Sequence, residues 1–65
     1  MMKRYKIIYN LIGAPASEEK ALFVETSITD LDYLEYKIRK ILHAEYVQLN
    51  IFICEYKIPE FKVIE

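Results

Sequence analysis

Residues 46–56 alternate between two kinds of side chain, as in an extended strand whose successive side chains point to opposite faces. One face would carry only aliphatic residues: Val47, Leu49, Ile51 and Ile53. The other face would carry aromatic and polar residues: Tyr46, Gln48, Asn50, Phe52, Cys54 and Tyr56. The pattern predicts a strand with its aliphatic face in a hydrophobic core and its mixed face against a different neighbour.

Two earlier segments alternate in the same way and predict two further strands. Residues 3–12 place four apolar side chains on one face: Tyr5, Ile7, Tyr9 and Leu11. Residues 20–28 place four side chains on one face: Leu22, Val24, Thr26 and Ile28. The opposite face would carry Ala21, Phe23 and Glu25. Gly13 and Pro15 interrupt the alternation between them, since glycine permits unusual dihedrals and proline removes a ladder donor. These strands are therefore expected to form a hairpin with a wide loop.

Residues 31–44 follow helical spacing instead. Their apolar positions form one stripe: Leu31, Leu34, Ile38, Ile41 and Leu42. Thr29 and Asp32 resemble a capping box, so Thr29 is the predicted N-cap. The helix is expected to end near Ala44.

Residues 57–60 predict a turn, and residues 61–65 predict a short fourth strand at a sheet edge. The chain is therefore expected to be a single α+β domain over residues 1–65, with a four-stranded sheet and one helix packed on one face. This ββαββ order is similar to that of β-grasp domains, in which a hairpin, a crossing helix and a second hairpin make a mixed sheet. The similarity covers the whole chain and consists of element order alone.

A single helix covers only one face of a sheet, so the second face is expected to be open. Monomeric proteins rarely leave a large contiguous apolar patch, and burying each large side chain is worth ~1.5–3 kcal/mol. We expect this face to bind a second copy or another protein through five residues: Ile8, Phe23, Tyr46, Phe52 and Tyr56. The alternative is a lightly exposed back of a small sheet, because much of any folded surface is apolar.

The outer face of the helix is a second candidate interface. At 100° per residue, four residues cluster opposite the apolar stripe: Tyr33, Tyr36, Lys40 and His43. Tyrosines combine a large contact area with a hydroxyl, which makes Tyr33 and Tyr36 candidate anchors, with His43 beside them. The favoured alternative is a solvated helix whose tyrosines lie along neighbouring side chains.

Composition narrows the class of protein. The chain has 65 residues, 54% of them hydrophobic, and a formal net charge of −1. These values exclude a disordered chain and give no global attraction to nucleic acid. Residues 1–10 are too short and too interrupted for a signal peptide, and no apolar run approaches the ~20 residues of a membrane span. With Cys54 as the single cysteine, the chain is expected to be cytoplasmic and not membrane-bound.

No set of residues predicts catalysis, a metal site or a cofactor. His43 and Cys54 lie on different elements, and a nucleophilic pair needs adjacency and a thiol of depressed pKa. Asp30 and Asp32 have a capping explanation, and Gly13 alone makes no phosphate-binding loop. We therefore expect a protein without enzymatic activity.

Nucleic-acid binding is the main alternative function. Lys3, Arg4 and Lys6 interleave with Tyr5. A sheet face that carries Tyr46, Phe52 and Tyr56 could stack bases. Acidic residues recur on the same strands, however, and a phosphate-binding surface should be locally basic. The leading hypothesis is thus a non-enzymatic protein-interaction module, compatible with an inhibitor or adaptor of a virus or mobile element.

Overall fold

The structure, a computed structural model, describes residues 2–57 and 62–64. Its elements are β1 (Lys3–Leu11), a 3-10 turn (Ala16–Glu18), β2 (Lys20–Thr26), α1 (Leu31–Ile41), β3 (Leu49–Glu55) and β4 (Lys62–Val63). The predicted α+β class is confirmed, with strands and helix in the predicted order. Of the predicted turn at residues 57–60, residues 58–60 lie outside the described residues, as do Phe61 and Glu65 of the predicted fourth strand.

The four strands form one mixed sheet in the order β3-β1-β2-β4. β1 is antiparallel to both β2 and β3, and β2 is parallel to β4. Ile7 at the centre lies beside Leu22 on one side and Ile53 on the other. Because β3 and β4 occupy opposite edges, they do not form the second hairpin of a β-grasp arrangement.

The helix packs on one face of the sheet and closes the core there. The buried cluster joins the two central strands to α1: Tyr5, Ile7, Val24, Leu34 and Ile38. Ile51 and Ile53 pack against it, as predicted for the aliphatic face of the third strand. The buried Thr26 hydroxyl accepts a hydrogen bond from the Ile28 amide at 3.2 Å, which satisfies a polar group in the core.

β3 begins at Leu49, so the predicted start at residue 46 is wrong. Tyr46 is 97% exposed and Val47 is 43% exposed, both in the connection between α1 and β3. There the Val47 amide donates to the Ala44 carbonyl at 3.2 Å, which closes a turn. Hydrogen bonding within this turn overrides the side-chain alternation. β1 and β2 also end slightly earlier than predicted, at Leu11 and Thr26.

The helix N-cap is Asp30, so the prediction of Thr29 is wrong. The Asp30 carboxylate accepts hydrogen bonds from the amides of Asp32 at 3.0 Å and Tyr33 at 3.3 Å. Aspartate is among the best N-caps, and its charge also suits the positive end of the helix dipole.

The helix ends at Ile41, three residues earlier than predicted. His43 has a φ of 54°, and its amide donates to the Lys40 carbonyl at 3.1 Å. The Ala44 amide reaches back to the Arg39 carbonyl at 2.8 Å. These two bonds form a Schellman motif, with His43 in the left-handed position that glycine usually fills.

The apolar stripe of the helix is narrower than predicted. Leu34 and Ile38 are fully buried and Leu42 packs beside them. Leu31 and Ile41 are 50% and 45% exposed, because they lie at the margins of the stripe.

Candidate interaction surface

The sheet face opposite α1 is covered by no described element, and we call it the open face. Strand alternation and register place on it Arg4, Lys6, Ile8, Asn10, Ala21, Phe23, Glu25, Asn50, Phe52, Cys54 and Val63, with Tyr56 just beyond β3. Phe52 is 65% exposed and Val63 64% exposed. The open face therefore presents large apolar side chains to solvent.

The open face is ordered in rows that run across the strands. Phe52, Ile8 and Ala21 form an apolar row through β3, β1 and β2. Asn10 and Asn50 form the neighbouring row on one side of it. An apolar centre with a polar margin is the usual anatomy of a protein-binding surface.

The next row carries Cys54, Lys6 and Phe23, and the Tyr56 ring reaches Phe23 and Lys6 from the neighbouring row of Arg4. The rings of Phe23 and Tyr56 lie 5.5 Å apart between centroids, tilted at 57°. The Lys6 ammonium lies 5.9 Å from the Phe23 centroid and 5.4 Å from the Tyr56 centroid. Cation–π attraction holds the lysine over the rings, so this part of the open face is aromatic with one positive charge.

Charged groups close the other end of the open face. The Arg4 Nε donates to a Glu25 carboxylate oxygen at 2.6 Å, and these residues are neighbours on β1 and β2. On the third strand, the Cys54 thiol donates to the Lys6 carbonyl at 3.6 Å. The apolar patch thus lies between an asparagine margin and an ion-paired margin.

The structure brings together four of the five residues predicted for the sheet interface. Ile8, Phe23, Phe52 and Tyr56 all lie on the open face. Tyr46 does not, because it lies in the turn that precedes β3. Its predicted place on this face is wrong for that reason.

The tyrosines on the outer face of α1 are partly covered by neighbouring lysines. The Tyr33 and Tyr36 rings stack at 6.2 Å, with the Lys37 ammonium 5.6 Å from the first and the Lys40 ammonium 4.9 Å from the second. A hydrogen bond with Tyr36 raises the pKa of Lys40. This arrangement supports the solvated helix with tyrosines along neighbouring side chains.

His43 lies on the other side of the sheet from Cys54, at the C-terminal end of α1. It borders an open groove of ≈ 560 Å³. The groove is lined mainly by apolar residues from β1, β3 and the helix end: Tyr9, Leu11, Leu42, Ala44, Val47 and Leu49. His43 and Cys54 therefore make no nucleophilic pair.

The basic residues considered for nucleic-acid binding are divided between the two faces. Tyr5, which was grouped with them, is 4% exposed and lies in the core. Lys3 lies on the helix side and pairs with Glu55 at 3.2 Å, which raises the pKa of Lys3. Only Arg4 and Lys6 lie on the open face, where Glu25 offsets part of their charge.

The alternation of side chains along the sequence gives no signal for two features of the sheet: the place of Val63 and the contacts of Arg39. Val63 joins the open face because β4 pairs with β2. Arg39 reaches from α1 to the start of β3, where its guanidinium donates to the carbonyls of Val47 at 3.0 Å and Leu49 at 3.2 Å. Both depend on tertiary contacts between distant segments.

Among residues 2–57 and 62–64, no three histidine, cysteine or acidic side chains converge on a metal-sized site. No helix in that part of the chain is long and apolar enough to cross a membrane. Comparison with protein-family models, curated proteins and solved structures gives no match to this chain.

Proposed function

We propose that the protein is a non-enzymatic interaction module that binds a protein partner through the open face. The observation that carries this proposal is Phe52, which is 65% exposed beside Ile8 at the centre of an apolar row. Covering one such side chain is worth ~1.5–3 kcal/mol. A partner that covered Phe52 and its neighbours would add substantially to the stability of so small a domain.

The charges on the open face favour a protein over nucleic acid. Arg4 and Lys6 are its positive groups, and Glu25 lies between β1 and β4 beside Arg4. A phosphate backbone would be repelled by that carboxylate, whereas a protein surface can match both signs.

The test is affinity capture from a lysate of the source organism with three immobilised proteins: the native chain, Phe52→Ser and Tyr46→Ser. Both variants remove an exposed aromatic ring, but only Phe52 lies on the open face. We expect a partner that the native chain and Tyr46→Ser retain and Phe52→Ser loses by at least tenfold.

The same three proteins and a fourth, Arg4→Glu, are titrated with a labelled single-stranded oligonucleotide at low salt. Binding that falls steeply as salt rises and disappears in Arg4→Glu would replace the proposal with the nucleic-acid function. Equal capture by Phe52→Ser and the native chain would contradict the role of the open face. Circular dichroism of each variant checks that the fold is retained.

A further inference from the structure

β3 is an edge strand whose outer side can be read from its pairing with β1. The Tyr56 amide donates to the Arg4 carbonyl at 2.9 Å, and the Ile12 amide donates to the Gln48 carbonyl at 3.2 Å. In an antiparallel pair, hydrogen-bonded positions alternate with non-bonded ones. The even-numbered residues of β3 therefore bond to β1, and the odd-numbered residues direct their backbone groups outward: Leu49, Ile51, Ile53 and Glu55.

Natural sheets protect their edges with lysine, proline, bulges or very short strands. β4, the opposite edge, has two residues and includes Lys62. β3 has seven residues, and Glu55 at its end is the single charged one. It carries neither lysine nor proline, so this edge lacks the features that prevent pairing with another strand.

Arg39 already bonds to one end of the outer edge of β3, so only the rest of that edge is available to pair with another strand. Its Nη2 donates to the Leu49 carbonyl at 3.2 Å, so that outward acceptor is already bonded. Ile51, Ile53 and Glu55 remain as the outward positions of β3 that pair with no other strand of the described sheet. Ile53 is at the middle of this segment.

We propose that β3 pairs antiparallel with β3 of a second copy, about a two-fold axis at Ile53. Ile53 then lies opposite its own counterpart, and Ile51 lies opposite Glu55 of the other copy. This register uses every open outward group and leaves the Arg39 contact intact. It places no like charges opposite each other, which a self-complementary interface requires.

The two-fold axis is perpendicular to the sheet, so both helices lie on one side and both open faces on the other. Phe52 of each copy comes beside Cys54 of the other, so each apolar row continues into the row of Cys54, Lys6 and Phe23 on the other copy. The dimer therefore doubles the width of the open face. That role of the dimer rests on the proposed function, whereas the strand pairing does not.

Self-association is tested by analytical ultracentrifugation of the native chain, Glu55→Pro and Glu55→Ala. Proline removes the outward donor of residue 55 and leaves the bonds to β1, while alanine removes the same ion pair with Lys3 and keeps the donor. We expect a dimer whose dissociation constant rises at least about tenfold in Glu55→Pro and less than about threefold in Glu55→Ala. A native chain that is monomeric at high micromolar concentration would overturn the proposal, as would equal effects of the two variants.

A second measurement checks the register without depending on the proline variant. On the outer side of β3 the even-numbered positions form non-bonded pairs, which are close enough for a disulfide. Under dissolved oxygen, Phe52→Cys should give an interchain disulfide with the native Cys54, and Asn50→Cys should not. Equal cross-linking by both variants would reject the Ile53 register.

Phe52→Ser separates this inference from the proposed function. If the dimer forms through β3, Phe52→Ser should lose partner capture and keep self-association. Dimer loss in Phe52→Ser with a normal dimer in Glu55→Pro would show face-to-face association and overturn the edge pairing.

Discussion

At the scale of single residues, two positions in residues 2–57 and 62–64 hold the left-handed backbone conformation. Gly13 has a φ of 87° in the turn after β1, where the Ala14 amide donates to the Leu11 carbonyl at 3.0 Å. His43 has a φ of 54° at the end of α1. Glycine adopts this region without steric cost, whereas residues with a Cβ do not. The chain therefore has glycine at one of these positions and carries strain at the other.

Substitutions at these positions should shift stability in opposite directions. A Cβ at Gly13 would meet nothing within 4 Å, so Gly13→Ala should cost about 1 kcal/mol through conformation alone. His43→Gly should stabilise the fold by about 0.5 kcal/mol, because relief of the strain exceeds the added entropy of the unfolded chain. Urea unfolding measures both. Destabilisation by His43→Gly would indicate that the imidazole makes stabilising contacts.

At the scale of elements, the caps and the bonds across the α1–β3 connection set where each element ends. Asp30 caps the first turn of α1, and the Schellman bonds around His43 close the last. The Arg39 guanidinium then holds the α1–β3 connection by donating to the carbonyls of Val47 and Leu49. These polar contacts decide the boundaries that side-chain alternation leaves open.

The two candidate N-caps differ in their expected contribution to stability. Asp30→Ala removes the acceptor for two helix amides and should cost about 1 kcal/mol. Thr29→Ala, at the neighbouring exposed position, should cost less than about 0.5 kcal/mol. Thermal unfolding of both variants measures the difference. A larger loss for Thr29→Ala would mean that threonine caps the helix in solution.

Periodicity was sufficient to predict the residues at the centre of the core but not its margins, where elements end or which strands pair. Ile51 and Leu34 follow the alternation and the helical stripe, so their burial could be predicted. Thr29 and Asp30 are both good caps, and backbone geometry selects between them. His43 carries no stop signal because glycine is the residue expected there.

Which residues lie on the open face was only partly predictable, because this too depends on where strands end and how they pair. Alternation placed Ile8, Phe23 and Phe52 on one side of their strands, and the register brings them together. Tyr46 fits the same alternation but lies in a turn stabilised by local hydrogen bonds. Val63 required knowledge that β4 pairs with β2, which element order does not specify.

At the scale of the whole molecule, stability and association are linked. A folded chain of 65 residues buries only about 60% of the surface that it exposes when unfolded, so its core gives limited stability. Any association that requires the folded state adds to that stability by mass action. The proposed dimer should therefore appear in the unfolding of the protein as well as in its size.

The melting temperature of the native chain should rise with protein concentration, by roughly 3–5 °C for each tenfold increase. The rise should be smaller in Glu55→Pro over the same concentrations because its dimer is weaker, and Glu55→Ala should follow the native chain. Differential scanning calorimetry over a hundredfold range makes the comparison. A constant melting temperature for the native chain would contradict coupling between folding and dimer formation.

The central position of β1 has a consequence for how the chain folds. Ile7 meets Leu22 within a local hairpin, but its other neighbour, Ile53, follows the helix. Closing that long segment costs entropy before the contacts it brings are made, which slows folding. Docking of β3 onto β1 is therefore the expected slow step, and until it occurs the apolar edge of the first hairpin is open to misassembly with other chains.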